Sequence, residues 1–258
     1  MRLRKLNRNE LKYIAAFFMV LDSMYLRGFL SSVFHLLTRF VAPLFAWLMV
    51  DGFFHTSSRP AYCRRLWTAA ALMQIGDAAS SLLFGSRHLG IGDNIFLTLA
   101  AGFTVIYLIE LGRSEASRRR SIIRWAEALA AVLVGLVLSI VPIPLFGDAY
   151  IGIEGGLMLL PLILIAYFFH GRMKEQAVLY TAYCLLIGAL SGAFVIPQSA
   201  MDWDMLFVNS DWAGFLFLPL ALLYDGTAGK KTAFSRYFFY VLYPLHLWII
   251  AAAAFFLR

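Results

Sequence analysis

The chain has 258 residues, of which 61% are hydrophobic and only 14% charged, with a net charge of +7. A soluble domain carries about a quarter charged residues and could not bury this much apolar surface, so the composition marks an integral membrane protein. It excludes a tethered soluble enzyme and a nucleic-acid module, and the positive excess reads as a topology signal.

The N-terminus is basic and then apolar, as in a secretory leader. Lys12, Asp22 and Arg27 interrupt the apolar part, however, and no small-residue cleavage motif follows. It is therefore read as a retained first span. Helices are predicted near 12–31, 33–54, 65–84, 94–111, 122–142, 149–169, 176–196, 204–223 and 237–257, separated by short polar turns. A span needs about 20 apolar residues, and these segments use nearly all of the chain. The expected fold is an all-α polytopic bundle of about nine transmembrane helices, forming a single domain over residues 1–258.

Basic residues give the bundle a direction. With the N-terminus cytoplasmic, 18 of the 22 lysines and arginines fall on inner segments, the exceptions being Arg27, Arg39, Arg87 and Arg258. The outer side instead collects Asp77, Asp93, Asp148, Asp202, Asp204 and Asp211. Adding or removing one span would swap the sides of every later loop and abolish the bias.

Charged groups at membrane depth are costly and mark candidate functional residues. Asp22 lies about 15 Å into the first helix at the usual helical rise, and His246 reaches a similar depth in the last. Arg39 and Glu154 enter from the outer side. Asp22 and Arg39, on helices joined by a tight turn, could form a buried ion pair. His246 could equally be a core histidine bonded to a carbonyl. Asp93, Asn94 and Asp148 read as helix caps, and Asp51 and His55 as a solvated pair near the inner surface. Cys63 and Cys184 are read as free thiols, and no Cys/His cluster has metal-ligand spacing.

The motifs carry a family resemblance. Leu11-Lys12-Tyr13-Ile14-Ala15 and Phe18-Met19-Val20-Leu21-Asp22 resemble the first helix of the TraX family. Thr38-Arg39-Phe40-Val41-Ala42-Pro43-Leu44-Phe45 resembles its second helix. Asp51-Gly52-Phe53-Phe54-His55-Thr56 with Tyr62-Cys63-Arg64-Arg65-Leu66, Asn94-Ile95-Phe96-Leu97-Thr98-Leu99, and the stretch from Ala149 to Met158 follow in the family's order. Tyr240-Val241-Leu242-Tyr243-Pro244-Leu245-His246-Leu247 is similar to its ending.

The resemblance implies acyl transfer at a bacterial cytoplasmic (inner) membrane. An acetyl or other acyl group would pass from cytoplasmic acyl-CoA to an outward-facing pilin N-terminus, glycan or lipid, with no metal involved. Asp22, Ser23, Arg39 and His246 are the expected catalytic residues. His35, Asn94, Tyr150 and Glu154 are the expected substrate-binding ones. A histidine suits proton removal from the acceptor, an aspartate can orient it, and an arginine can stabilise oxyanion charge. Ser23 departs from the family pattern, which has a histidine there. A serine is no general base at neutral pH, so His246 or His35 would have to supply one, or His246 would have to activate the Ser23 hydroxyl itself. The alternatives are a non-catalytic relative that positions a partner, and a small transporter; no paired repeats support the latter.

Overall fold

A computed structural model describes residues 5–84, 94–147, 149–191, 207–230 and 232–257. The predicted outer turns at 85–88 and 201–204 lie outside them, as do Asp93, Asp148, Arg2, Arg4, Arg87, Lys231 and Arg258. The helices among the described residues are α1 (Arg8–Leu26), α2 (Ser32–Thr38), α3 (Val41–His55), α4 (Arg59–Phe84), α5 (Ile95–Ser114), α6 (Arg118–Ile140), α7 (Gly156–Phe168) and α8 (Met173–Leu190). A 3-10 helix, Ser210–Phe217, runs into α9 (Leu218–Leu222), and α10 (Ala233–Leu257) completes the series. The regular structure of the described residues is thus helical apart from one two-residue antiparallel ladder and an isolated bridge between Leu6 and Tyr224. Among the described residues four stretches are long and apolar enough to cross a membrane: Ser32–His55, Ile95–Ser114, Arg118–Ile140 and Tyr237–Leu257.

Helix boundaries depart from the sequence expectation where local chemistry intervenes. The first helix starts at Arg8 because Asn7 and Glu10 form a capping box: the Glu10 N–H donates to Asn7 Oδ1 (3.1 Å), and the Asn7 N–H donates to Glu10 Oε2 (2.9 Å). It stops at Leu26, two residues before Gly28 takes a positive φ of 72°. The predicted helix over 33–54 is broken between Thr38 and Val41. Pro43 accounts for the break, since its ring opposes helical placement of the Arg39 carbonyl four residues back, while in the first turn of α3 its missing N–H costs nothing. Arg59 and Pro60, expected in a turn, open α4, with Ser58 Oγ accepting from the Ala61 N–H (3.3 Å). The sixth predicted helix, over 149–169, begins only at Gly156. Its first residues are extended, pairing Ile143 with Ile151 and Pro144 with Tyr150, and Gly155 at φ 58° turns the chain into α7.

Two compact units emerge, Met1–Leu48 with Gly171–Arg258, and Met49–His170. In the first, α1 packs against α2 and α10, and the 3-10 helix packs against α2 and α8. Its core holds Leu11, Ala15, Leu44, Tyr180, Phe217, Ala251 and Ala254. Buried Gln176 accepts a hydrogen bond from Trp47 Nε1 (2.9 Å), which satisfies two polar groups at once. The segment before α1 is tied to the loop after α9: the Leu6 N–H donates to the Leu223 carbonyl (2.8 Å), and the Asp225 N–H donates to the Leu6 carbonyl (2.9 Å).

In the second unit α5 is the central element, flanked by α4, α6 and α7. Phe96, Leu99, Phe103 and Ile106 of α5 are buried. Gly102 permits α7 to approach, since a Cβ there would overlap the Ile163 side chain. Helix α6 exposes Ile122, Leu129, Leu133, Val137 and Ile140. In water such a face would be a liability; in a bilayer it is a lipid contact.

Candidate functional site

The densest polar cluster of the first unit forms around Asp22 in the last third of α1. His35, Thr38 and Arg39, at i, i+3 and i+4, share one helical face and all turn towards that carboxylate. Arg39 Nη2 donates to Asp22 Oδ2 (2.9 Å) and Oδ1 (3.1 Å), a close two-point ion pair. Thr38 Oγ1 donates to Asp22 Oδ1. His35 Nδ1 lies 3.1 Å from the same oxygen. An ionised carboxylate only accepts, so His35 carries its proton on Nδ1. Its Nε2 has no hydrogen-bond partner among the described residues, and in the neutral ring that nitrogen presents a lone pair. Tyr25 flanks the ring, with centroids 4.6 Å apart.

Arg39 is held from every side. Its Nε donates to the His35 carbonyl (3.2 Å), and Nη1 donates to Asp211 Oδ1 on the 3-10 helix (3.2 Å). One guanidinium thus faces two carboxylates, Asp22 and Asp211, and Arg39 acts as the clamp that fixes Asp22. Asp22 keeps 22% of its side chain exposed, so one edge of the cluster can be reached by a ligand.

Ser23, one residue along α1, belongs to a different contact. Its Oγ lies 3.0 Å from His246 Nε2, and both residues are buried. His246 Nδ1 sits 2.9 Å from the Leu242 carbonyl. A carbonyl can only accept, so Nδ1 holds the proton and Nε2 accepts the Ser23 hydroxyl hydrogen. The same hydroxyl proton has a second acceptor within reach, the Met19 carbonyl at 3.2 Å. The two histidines considered at the sequence level thus take different partners: His35 meets Asp22, and His246 meets Ser23.

The remaining predicted site residues, Asn94, Tyr150 and Glu154, belong to the second unit. Asn94 caps α5 by accepting from the Leu97 N–H (3.2 Å), while its Nδ2 donates to the Ala70 carbonyl (3.0 Å) and Gln74 Oε1 (3.4 Å). Gln74 Nε2 donates to the Tyr150 carbonyl (2.9 Å), and Thr98 Oγ1 donates to the Glu154 carbonyl (2.8 Å). Through these bonds all three act in holding helices together. Asp51, expected to be solvated, is instead buried beside His55 Nδ1 (3.3 Å) and His170 Nε2 (3.7 Å). Sequence reasoning missed Thr38 as a ligand of Asp22 and Asp211 as a partner of Arg39. Thr38 was legible in principle, being adjacent to Arg39. Asp211 lies 172 residues from its arginine, and no spacing signals the contact. Among the described residues no three His, Cys, Asp or Glu side chains gather as a metal site would require.

Apolar helices of spanning length, with a charged, partly accessible cluster in the first unit, define a helical membrane protein. The chain belongs to the TraX family, whose model, described as TraX protein, matches residues 7–253. Among curated proteins and among solved structures nothing matches the chain.

Proposed function

We propose that the protein is a membrane acyltransferase that moves an acyl group, acetyl in the simplest case, from cytoplasmic acyl-CoA to an outward-facing acceptor. One observation carries this reading. Asp22 holds His35 by Nδ1, and the free Nε2 lone pair is what a general base needs. The family pattern has its histidine directly after the aspartate. Here Ser23 occupies that position, and His35 supplies an imidazole to the same carboxylate from thirteen residues further on.

In this mechanism Asp22 orients the imidazole and stabilises the imidazolium that forms, while Arg39 and Thr38 hold the carboxylate in place. The acceptor donates its proton to His35 Nε2 as its nitrogen or oxygen attacks the thioester carbonyl, and the CoA thiol departs. An amine, such as a pilin N-terminus, is the first proposed acceptor. Glycan and lipid hydroxyls are the alternative acceptors. The donor itself rests on the family relationship.

The same proposal places one TraX-like domain over residues 1–258 in the bacterial inner membrane, with nine spans and the N-terminus in the cytoplasm. The distribution of basic residues supports this orientation. Reporter fusions near Pro60, Ser117, Arg172 and Lys230 should report inside, and one near Phe146 outside; an inside signal at Phe146 would overturn the nine-span topology.

The activity is tested by incubating purified protein with radiolabelled acetyl-CoA and membrane extract. Label transfer that is lost in His35→Gln, which keeps a hydrogen bond to Asp22 but removes the base, is the expected result. If no label moves and no thiol is released above background, the protein positions a partner instead of catalysing transfer.

A further inference from the structure

The Ser23–His246 contact is not used by the mechanism above, yet it has the form of an activated nucleophile. A hydroxyl in hydrogen-bond reach of a histidine, whose other nitrogen is fixed by a third group, is the arrangement that covalent acyl transfer requires. Here the third group is the Leu242 carbonyl rather than a carboxylate. It fixes the tautomer, so that Nε2 can only accept, and the 3.0 Å separation directs the serine proton onto it. Both residues are buried, and a dry site protects an ester from hydrolysis.

The geometry points to Ser23 as a covalent acyl relay: the acyl group passes from a thioester donor to Ser23 Oγ and from there to the acceptor. This inference rests on the acyltransferase reading for its donor. In the first step Ser23 Oγ attacks the thioester carbonyl and passes its proton to His246 Nε2. The carbon–sulfur bond breaks, an oxygen ester forms, and the departing thiolate takes that proton. In the second step the acceptor attacks the ester carbonyl and gives its proton to His35 Nε2. The carbon–oxygen bond to Ser23 breaks, and the leaving serine oxygen takes up the proton that His35 received, which restores both residues.

Ser23 and Asp22 are consecutive on α1, with Cα atoms about 3.8 Å apart, but their side chains leave the helix on different faces. An acyl group on Ser23 therefore has to swing from the His246 side to the His35 side between the two half-reactions. Two histidines with two separate partners then have two separate tasks, one for each half-reaction. A single-step transfer gives His246 nothing to do.

The test uses the full chain in detergent, with acetyl-CoA and no acceptor, quenched in acid and analysed by intact mass and peptide mapping. An acetyl adduct on Ser23 is expected, absent in Ser23→Ala and formed about 10²- to 10⁴-fold more slowly in His246→Gln. Ser23→Cys preserves size and nucleophilicity and should carry the adduct as a thioester, cleaved by neutral hydroxylamine where the serine ester survives. A parallel experiment with p-nitrophenyl acetate needs no CoA and should give a burst of nitrophenol that depends on Ser23. A burst with labelled Ser23 but no consumption of acetyl-CoA would support the nucleophile and sink the acyl-CoA reading. Acyl transfer to acceptor that persists in Ser23→Ala, with no adduct in the parent, would overturn the relay and leave the acyltransferase reading intact. No adduct and no burst would also overturn the relay.

Discussion

Asn94 and Asp22 are both polar residues on apolar helices, and their surroundings divide them. Around Asn94 every side-chain donor and acceptor is occupied within its own unit: the cap to Leu97, the Ala70 carbonyl and the Gln74 amide. Around Asp22 the carboxylate is equally well satisfied, by Arg39, Thr38 and His35, but the chain of bonds ends on an imidazole nitrogen with no partner among the described residues. The first network closes on itself and stabilises. The second ends on a ring nitrogen beside a carboxylate that keeps 22% of its side chain exposed. Buried polarity alone therefore does not mark a site; an unfinished hydrogen-bond chain does.

The largest effect that could break this contrast is kinetic. His35→Gln should lower acyl transfer by about 10²- to 10⁴-fold while the protein keeps its thermal transition. Asn94→Ala should do the reverse, lowering the thermal transition while each folded molecule retains far more activity than His35→Gln. Equal losses of activity in the two variants would erase the distinction.

Next in size is the Asp22–Arg39 coupling. Removing either group alone leaves the other with its remaining partners, Asp211 for Arg39, and Thr38 and His35 for Asp22, so each loss is that of a charge-assisted hydrogen bond, about 1.5–3 kcal/mol. The double substitution Asp22→Ala with Arg39→Ala should cost less than the sum of the single changes, as measured by thermal unfolding in detergent. Additive losses would mean that the two charges do not act as a pair.

Loss of the Asn94 side chain removes one helix cap and two bridging bonds. A cap is worth about 1 kcal/mol and a neutral hydrogen bond about as much, so Asn94→Ala should cost roughly 1–3 kcal/mol. Asn94→Asp should recover the cap to Leu97 but not the donation to the Ala70 carbonyl, giving an intermediate thermal transition.

The smallest effect is expected at Asp225, in the exposed loop that ties down the N-terminal segment. Donation from the Thr227 backbone N–H (2.7 Å), then from its side chain, holds this carboxyl below its usual range. A depressed folded value means that the stabilisation is present above the unfolded pKa and fades as pH falls through the folded one. Asp225→Asn should therefore lower the thermal transition slightly at neutral pH, with the gap to the parent closing in acid. A gap independent of pH would show that the charge is irrelevant to the turn.

Much of the helical framework was legible because it depends on local properties. Apolar runs of spanning length become helices wherever they occur, since an unpaired backbone is intolerable in lipid. The departures arise at single residues whose effect is also local but easily underweighted. Pro43 breaks one expected helix into two, and Gly155 with the Tyr150–Ile151 pairing delays α7. The spacing of His35, Thr38 and Arg39 at i, i+3 and i+4 matters most for the site, because it puts all three on the helical face that meets one carboxylate.

By itself, the sequence determined that this is a helical membrane protein of the TraX family, and it singled out Asp22, Arg39, His35 and His246 as polar groups needing partners. Composition and residue order carry that information without reference to any distant contact. Only the tertiary structure decided which partner each takes. Ser23 and His246 are separated by 223 residues, and Arg39 and Asp211 by 172. Across such lengths it is helix packing, not spacing along the chain, that sets which side chains meet. The two histidines were interchangeable candidates in the sequence; packing gave one to the carboxylate and the other to the serine.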